Sequence, residues 1–510
     1  MQIYDKIVAG SVSCEGAAVT EGMNKMKIVV LLGGIGYDSQ KRTVSGILDR
    51  AILDRANVYI FTCDGWKYEV PAKYEKGEYN IYNLPDFTKY DGVILNTDTI
   101  HEPDIVQEIA GRINEAGVPC IDLNINTPWF VHVEMENRHG VEEIVKHLIT
   151  QHKAANIFFI SGPEDSHDAN GRLSAYKDTM AENDIEWDEE YIYYGDYSYE
   201  SGQRAVRKFL DEAGVKPDAI VAANDEMAVG AMLALKEAGY RVPEDVMVTG
   251  YDDSDIAIYS YPRLTTVRRG EYEAGQIAYD KIVAMIRGEE VEDNTIIRGH
   301  AMFAESCGCA DWRDADASQM RENYMKQHVK AYREMEIIKN SSVEFTRLTQ
   351  FDDLLESLEQ YIHDIGIEYF YLCTCGSQDN YYRELERIAD GEERGRDASI
   401  YSDEIWVPFA YERGEINSYG AFHKSMLLPE ECMMKHAGAF YIIMPLHFQD
   451  HCFGYCVARD YRPALEGRFY QNFILNVDNA MEMIQKQDMM KAMLQRSNKK
   501  LSEDSRAFDK

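Results

Sequence analysis

From about residue 26 to 305, short apolar runs ending in glycine, asparagine or aspartate alternate with longer segments of helical period, and few folds satisfy that rhythm. KIVVLLGG (27–34) is the first such run. Lys41 to Arg55 follows, with Val44, Ile47, Leu48 and Ile52 at helical spacing. NVYIFTC, YDGVILN and VPCIDLN continue the series, with IVQEIAGRINEAG as an intervening helix. A second series opens with VEEIVKHLITQH and NIFFISG. It runs on through GRLSAYKDTMAEN, YIYYG, SGQRAVRKFLDEAG, AIVAAND, EMAVGAMLALKEAG and VMVTGYDD. Runs apolar at every position suit strands buried on both faces, and helices of this length suit the crossovers between parallel strands. The expectation is an α/β fold of two lobes, each a parallel sheet covered by helices, ending near Glu305.

The rhythm then breaks. Asp311 to Leu348 is charged and almost free of glycine and proline, with Met325, Val329, Tyr332, Met335 and Ile338 three or four apart, which predicts one amphipathic helix. Residues 351–460 read as a smaller α+β region. It has the helix FDDLLESLEQYIHDIG and the strands YFYLCTC, IWVPFAY, AFYIIMPLHF and CFGYCVARD. A terminal helix, 467–510, begins apolar and turns polar, as a connector to a further domain would. The first 25 residues show no pattern and are expected to be disordered, with Met23 or Met26 as alternative starts.

A length of 510 residues suits about three domains. The formal charge of −35 repels phosphate backbones and anionic lipid, which argues against direct nucleic-acid binding. No stretch reaches the ~20 apolar residues of a membrane helix, and no signal peptide is visible. Ten cysteines without a disulfide-scaffold spacing predict reduced thiols and a cytoplasmic chain.

Enzyme motifs fail on spacing. Gly33-Gly34-Ile35-Gly36 follows the first strand, but Ser39 stands where a dinucleotide fingerprint needs its third glycine. Neither a phosphate loop nor a G-x-S-x-G elbow occurs. Cys307-Gly-Cys309 and Cys373-Thr-Cys375 lack the two-residue gap of common zinc sites. The His447–Cys456 segment would alternate faces on two strands. Buried structural cysteines are the expectation there, with no metal and no cofactor.

The strand ends hold a better candidate. Asn224 and Asp225 close AIVAAND, and Asp252 and Asp253 close VMVTGYDD. In open α/β sheets ligands bind beyond the carboxyl ends of strands. Arg172 opens a helix in the second lobe, and Asn137 lies where the first lobe's last helix begins. Tyr37, Trp129 and Tyr197 lie in loops of the same expected rim. Arginine, asparagine and aspartate offer fixed donors and acceptors, and an aromatic face covers the apolar side of a sugar or base. Helix capping is the competing role for Asn224 and Asp252, and for either residue alone it is equally good.

YDGVILN (90–96), VPCIDLN (118–124), IFFISGP (157–163) with Arg172, PDAIVAANDEMAVGAMLALKEAG (217–239), RVPEDVMVTGYDDSDIA (241–257) and YPRLTTVRRGEYEAGQIA (261–278) occur in this order. Together they closely resemble the ligand-sensing domain of the LacI/GalR family, a type I periplasmic-binding-protein-like fold, over about 27–305. The resemblance implies lobes of about 26–151 plus 262–290 and 152–258 plus 292–305. It implies ligand contacts by Arg172, Asn224 and Asp252, ring stacking by Tyr197, and a bracing role for Asp253. Asn137 stands where an acidic residue is commoner in the family, which leaves sugar, sugar acid, nucleoside and purine all open as ligands.

Family members also pair as homodimers and carry an N-terminal helix-turn-helix, of which these residues show no trace. Glu305-Ser-Cys-Gly-Cys309 followed by a long helix resembles sensors whose output lies C-terminal, and 351–460 resembles a GAF domain. The implied function is a non-enzymatic small-molecule sensor that does not itself bind DNA or membrane and passes lobe closure through the 311–348 helix. The alternatives are the sensor portion of a diguanylate cyclase and a stand-alone binding protein.

Overall fold

The computed structural model describes residues 26–64, 77–100, 102–124, 127–309, 317–376, 401–433 and 438–508. The N-terminal segment 1–25 and the start of the helix expected at 311 lie outside them.

In the first lobe, β1 (Lys27–Gly33) lies between β2 (Asn57–Cys63) and β3 (Gly92–Asn96), all parallel. The order continues through β4 (Cys120–Leu123) and β5 (Val131–Glu136). The continuous apolar run of β1 is divided by the pleat. Ile28, Val30 and Leu32 enter one core with Ile47 and Leu48 of α1 (Asp38–Asp54) and Ile282 of a late helix. Val29 and Leu31 enter another with Ile109 and Ile113 of α2 (Pro103–Ala116). Burial on both faces is why alternation is absent from the sequence.

Helix α3 (His139–His152) leads to the second lobe, whose parallel order is β7-β6-β8-β9: Ile192–Tyr194, Ile157–Ser161, Ala219–Ala222 and Met247–Thr249. Helices α4 (His167–Glu182), α5 (Tyr199–Glu212) and α6 (Asp225–Glu237) supply Tyr176, Phe209 and Met227 to its core beside Phe158 and Phe159. After the short helix α7 (Asp255–Tyr259), β10 (Thr266–Arg268) leads back to the first lobe and α8 (Glu271–Ile286). Helices α1 and α8 cross at glycines. A Cβ on Gly46 would lie 2.1 Å from the Tyr272 carbonyl oxygen, and one on Gly275 would lie 2.0 Å from that of Thr43.

The lobes differ in content from the expected boundaries. Helix α3 packs in the second lobe, because Val141, Ile144, Val145 and Leu148 are buried with its core. Leu264 and Val267, expected in the first lobe, are buried there too. Conversely β11 (Asn294–Arg298), expected in the second lobe, pairs in parallel with β5 of the first. The chain then returns to the second lobe through β12 (His300–Met302), antiparallel to β10.

The largest departure concerns 351–460, expected as a module beyond a helical linker. Its strands are β13 (Tyr369–Thr374), β14 (Glu404–Glu412), β15 (Glu415–His423), β16 (Phe440–Phe448) and β17 (His451–Arg459). Strand β16 pairs in parallel with β2, aligning Phe440 with Val58 and Ile442 with Ile60. The result is one sheet of eleven strands, β11-β5-β4-β3-β1-β2-β16-β17-β13-β14-β15. All seven residues of β2 are buried, and Tyr59 stacks on Tyr441 at 4.9 Å with an interplanar angle of 6°. An apolar edge strand is a pairing liability, and β16 removes it. Helices α9 (Ala317–Phe345), α10 (Phe351–Ile365) and α11 (Phe469–Phe508) pack on this extension, where Phe345 meets Tyr361 at 5.4 Å and Phe473 at 6.2 Å.

Candidate functional site

Four strand ends of the second lobe open toward the first. At the end of β8, Asn224 caps α6 by accepting the Met227 N–H at 3.0 Å, and its amide donates to the Tyr197 carbonyl at 2.9 Å. Capping and site-building are therefore combined in one side chain. Asp225 is buried and accepts from the backbone and hydroxyl of Ser254 and from the Thr266 hydroxyl at 2.6 Å. Burial, together with the charge of Asp252, pushes its carboxyl up to about 8.

The loop after β9 is held in an unusual backbone conformation. Asp252 has φ 111° and Asp253 φ 49°, in the region that side chains other than glycine's disfavour. Such conformations persist only where surrounding contacts fix them. Here the Asp252 N–H donates to the Val267 carbonyl at 3.0 Å, and Arg42, from α1 of the opposite lobe, donates to the carbonyl oxygens of both aspartates. The Asp253 carboxylate pairs with Arg268 at 2.7 Å and so braces the loop.

Arg172 is the centre of the cluster and only 3% exposed. It donates to the Ala223 carbonyl at 2.6 Å, to Asn137 at 3.1 Å and to Asp168 at 3.2 Å. Its guanidinium lies 3.9 Å from the Tyr251 ring centroid and 3.8 Å from Asp252. Asn137 donates to Asp168 at 2.9 Å. A second buried arginine, Arg269, donates to Asp168 at 3.0 Å and lies 4.0 Å from Asp252. Burial alone would raise Asp168, but Arg269, Arg172 and the Asn137 hydrogen bond hold it below the usual carboxylate range. Burial raises Asp252 despite the two arginines. The buried Nε–H of both arginines carries no hydrogen bond among the described residues.

Tyr197, at φ 65°, shares a hydrogen bond of 2.8 Å with Ser166 and covers Gly162, where a Cβ would lie 2.3 Å from its ring. From the first lobe comes Asp98, which accepts from Asn124 at 2.8 Å. Burial, with the charge of Asp168, pushes Asp98 up to about 7.

Asn137, Arg172, Tyr197, Asn224 and Asp252 thus come together from distant segments. Two other candidates do not join them. The Tyr37 ring faces Arg468, just ahead of the C-terminal helix and 5.4 Å away, and Trp129 is 59% exposed on the β4–β5 loop. Sequence reasoning missed Asp98, Asp168, Arg269 and the lobe-bridging Arg42. Asp168 has a signal, since it precedes Arg172 by one helical turn. Arg269 has none beyond its place in a strand-to-helix turn. An open groove between α1 and α8 is lined instead by exposed charges such as the Arg50–Asp280 pair.

Residues 145–306 match the periplasmic binding protein-like domain model. The probable HTH-type transcriptional repressor ExuR of Bacillus subtilis (strain 168) is 30% identical over 269 residues, 52% of this chain and 75% of that protein. The chain belongs to the LacI family. A second LacI-type relative, the HTH-type transcriptional regulator CelR of Thermobifida fusca, is 34% identical over 222 residues, 42% of this chain and 63% of that protein. A solved CelR–cellobiose complex aligns with 56% of this chain and 85% of its own, at 27% identity and a TM-score of 0.46. The chain spans slightly less than two thirds of the length of CelR. No helix among the described residues is long and apolar enough to cross a membrane.

Proposed function

We propose that this chain is a cytoplasmic, non-enzymatic sensor in which a neutral, hydroxyl-rich ligand of the sugar class seats on Arg172, Asn137, Asp168, Asp252 and Arg269. The observation that carries the reading is the charge balance of that cluster. Two buried guanidiniums face two carboxylates within 4.0 Å, so a neutral ligand can exchange hydrogen bonds with them without leaving a charge unpaired. A sugar acid would add a negative charge with no free cation to meet it in the cluster among the described residues, because Arg172 and Arg269 already pair with Asp168 and Asp252. Because Arg42 ties the first lobe to the Asp252 loop, a ligand that binds the closed form better would shift the lobes toward closure.

The helical and antiparallel extension, read as GAF-like from its sequence, would carry the signal to an output that regulates transcription. Tyr324, Met325, Val329, Tyr332 and Met335 are each more than half exposed along α9, and we assign that stripe to a second copy of the chain. The net charge of −35 supports a sensor that does not itself hold duplex DNA.

The test is calorimetry against a panel of mono- and disaccharides and their uronic acids, using the wild type, Arg172→Ala and Asp252→Ala. Leaving a buried partner unsatisfied costs about 1–3 kcal/mol, roughly tenfold or more in affinity. Unchanged affinity in both variants would show that the ligand sits elsewhere. A preference for uronic acids would remove the neutral-ligand argument.

A further inference from the structure

The loop leaving the two-lobe domain carries a cluster outside the ligand site. His147 and His152 lie on the last turns of α3, and Cys307 and Cys309 follow β12. The Nε2 atom of His147 lies 2.9 Å from the Sγ of Cys309, and that of His152 lies 3.1 Å from both. Cys307 completes the group, its Sγ 4.0 Å from His147 Nε2, and all four donor atoms lie within 4.8 Å of one another. We propose that these side chains form a tetrahedral site for a zinc-type divalent ion. With Zn–N of about 2.0–2.1 Å and Zn–S of about 2.3 Å, the edges of such a tetrahedron measure about 3.3–3.8 Å. To accept the ion, the three short edges among His147, His152 and Cys309 spread slightly, and the 4.0 Å edge from His147 to Cys307 closes.

The surroundings favour coordination over a chance meeting of side chains. Gly308, at φ 84°, turns the backbone so that both flanking thiols face α3. The loop is fixed by its own bonds: the Gly308 N–H donates to Glu305 at 2.8 Å, and the Ser306 hydroxyl accepts the Thr265 N–H at 2.8 Å. Phe303 stacks on the His147 ring at 3.9 Å, and the Thr265 hydroxyl donates to the Cys307 sulfur at 3.0 Å. Such outer contacts orient ligands and stabilise a thiolate. On binding, each thiol gives its proton to solvent, so two thiolates and one divalent ion leave a neutral centre. The cysteine spacing hides the site, because the histidines come from 157 and 162 positions away. The site would staple α3 to the segment just before α9, the route by which the second lobe meets the extension.

Cobalt(II) is the probe. The full chain, purified reduced and stripped with chelator, should take up one equivalent of Co2+ with the visible bands of a tetrahedral ion and thiolate-to-metal charge transfer, displaced by Zn2+. Cys309→Ser and His152→Ala should each lose that spectrum, and Cys375→Ser should keep it. In the unmodified chain, Zn2+ should protect Cys307 and Cys309 from alkylation, read by peptide mass spectrometry. No tetrahedral spectrum, a spectrum surviving in both site variants, or no protection of the two cysteines would each overturn the proposal.

Discussion

Replacing Asp98 by asparagine should make the protein more stable at high pH, with a pH dependence that identifies the cause. Burial and the nearby charge of Asp168 push this carboxyl from 3.8 to about 7, against the opposing hydrogen bond from Asn124 and the charge of Arg269. One of its oxygens is buried without a partner among the described residues. The folded state therefore holds a proton that the unfolded state releases near pH 4. Between pH 4 and 7 the folded state binds more protons, so its stability falls as pH rises, and above 7 the loss is complete and constant. At about 1.4 kcal/mol per pH unit the gap is worth about 4 kcal/mol, and water in the cleft reduces it to an expected ~2–4 kcal/mol.

The substituted amide would keep an acceptor for Asn124 and carry no charge at any pH. Urea titrations of wild type and Asp98→Asn every half unit from pH 4.5 to 8.5 measure the difference. Asp225 and Asp122, which burial pushes up to about 8 and about 6, remain in both proteins and largely cancel. The stability difference should grow in favour of the variant up to about pH 7 and then level off. A difference independent of pH, or one that shrinks, would refute the account of Asp98.

Light scattering at tens of micromolar should show a dimer, and Val329→Asp on the exposed face of α9 should convert it to monomer; a monomeric wild type sinks this. At physiological salt the purified chain should leave no footprint on duplex DNA, and a specific footprint would overturn the reading of its charge. Hydrogen exchange should find the β2 amides as protected as those of β1, because the Val58 N–H donates to Ala439 at 3.0 Å. Exchange at the rate of an open edge would rule out the continuous sheet.

What the sequence determined by itself is local. The βα alternation is legible because a strand buried on both faces must be apolar throughout, a requirement each segment meets without its neighbours. Asn224, Asp252 and Arg172 stand out because strand ends and helix starts are marked by composition. Strand β5 escapes such a reading although Val131, Val133 and Met135 alternate, and β15 escapes it because its residues are mostly exposed. Tertiary structure decided the rest. Nothing in NVYIFTC or AFYIIMPLHF specifies that β2 and β16, almost four hundred residues apart, share an edge, since backbone pairing is the same for any apolar strand. Asp98, Asp168 and Arg269 became one charge cluster, and two histidines met two cysteines, only when the crossings between the lobes placed their elements side by side. Charge and coordination act over a few ångströms of space, and chain order does not encode that separation.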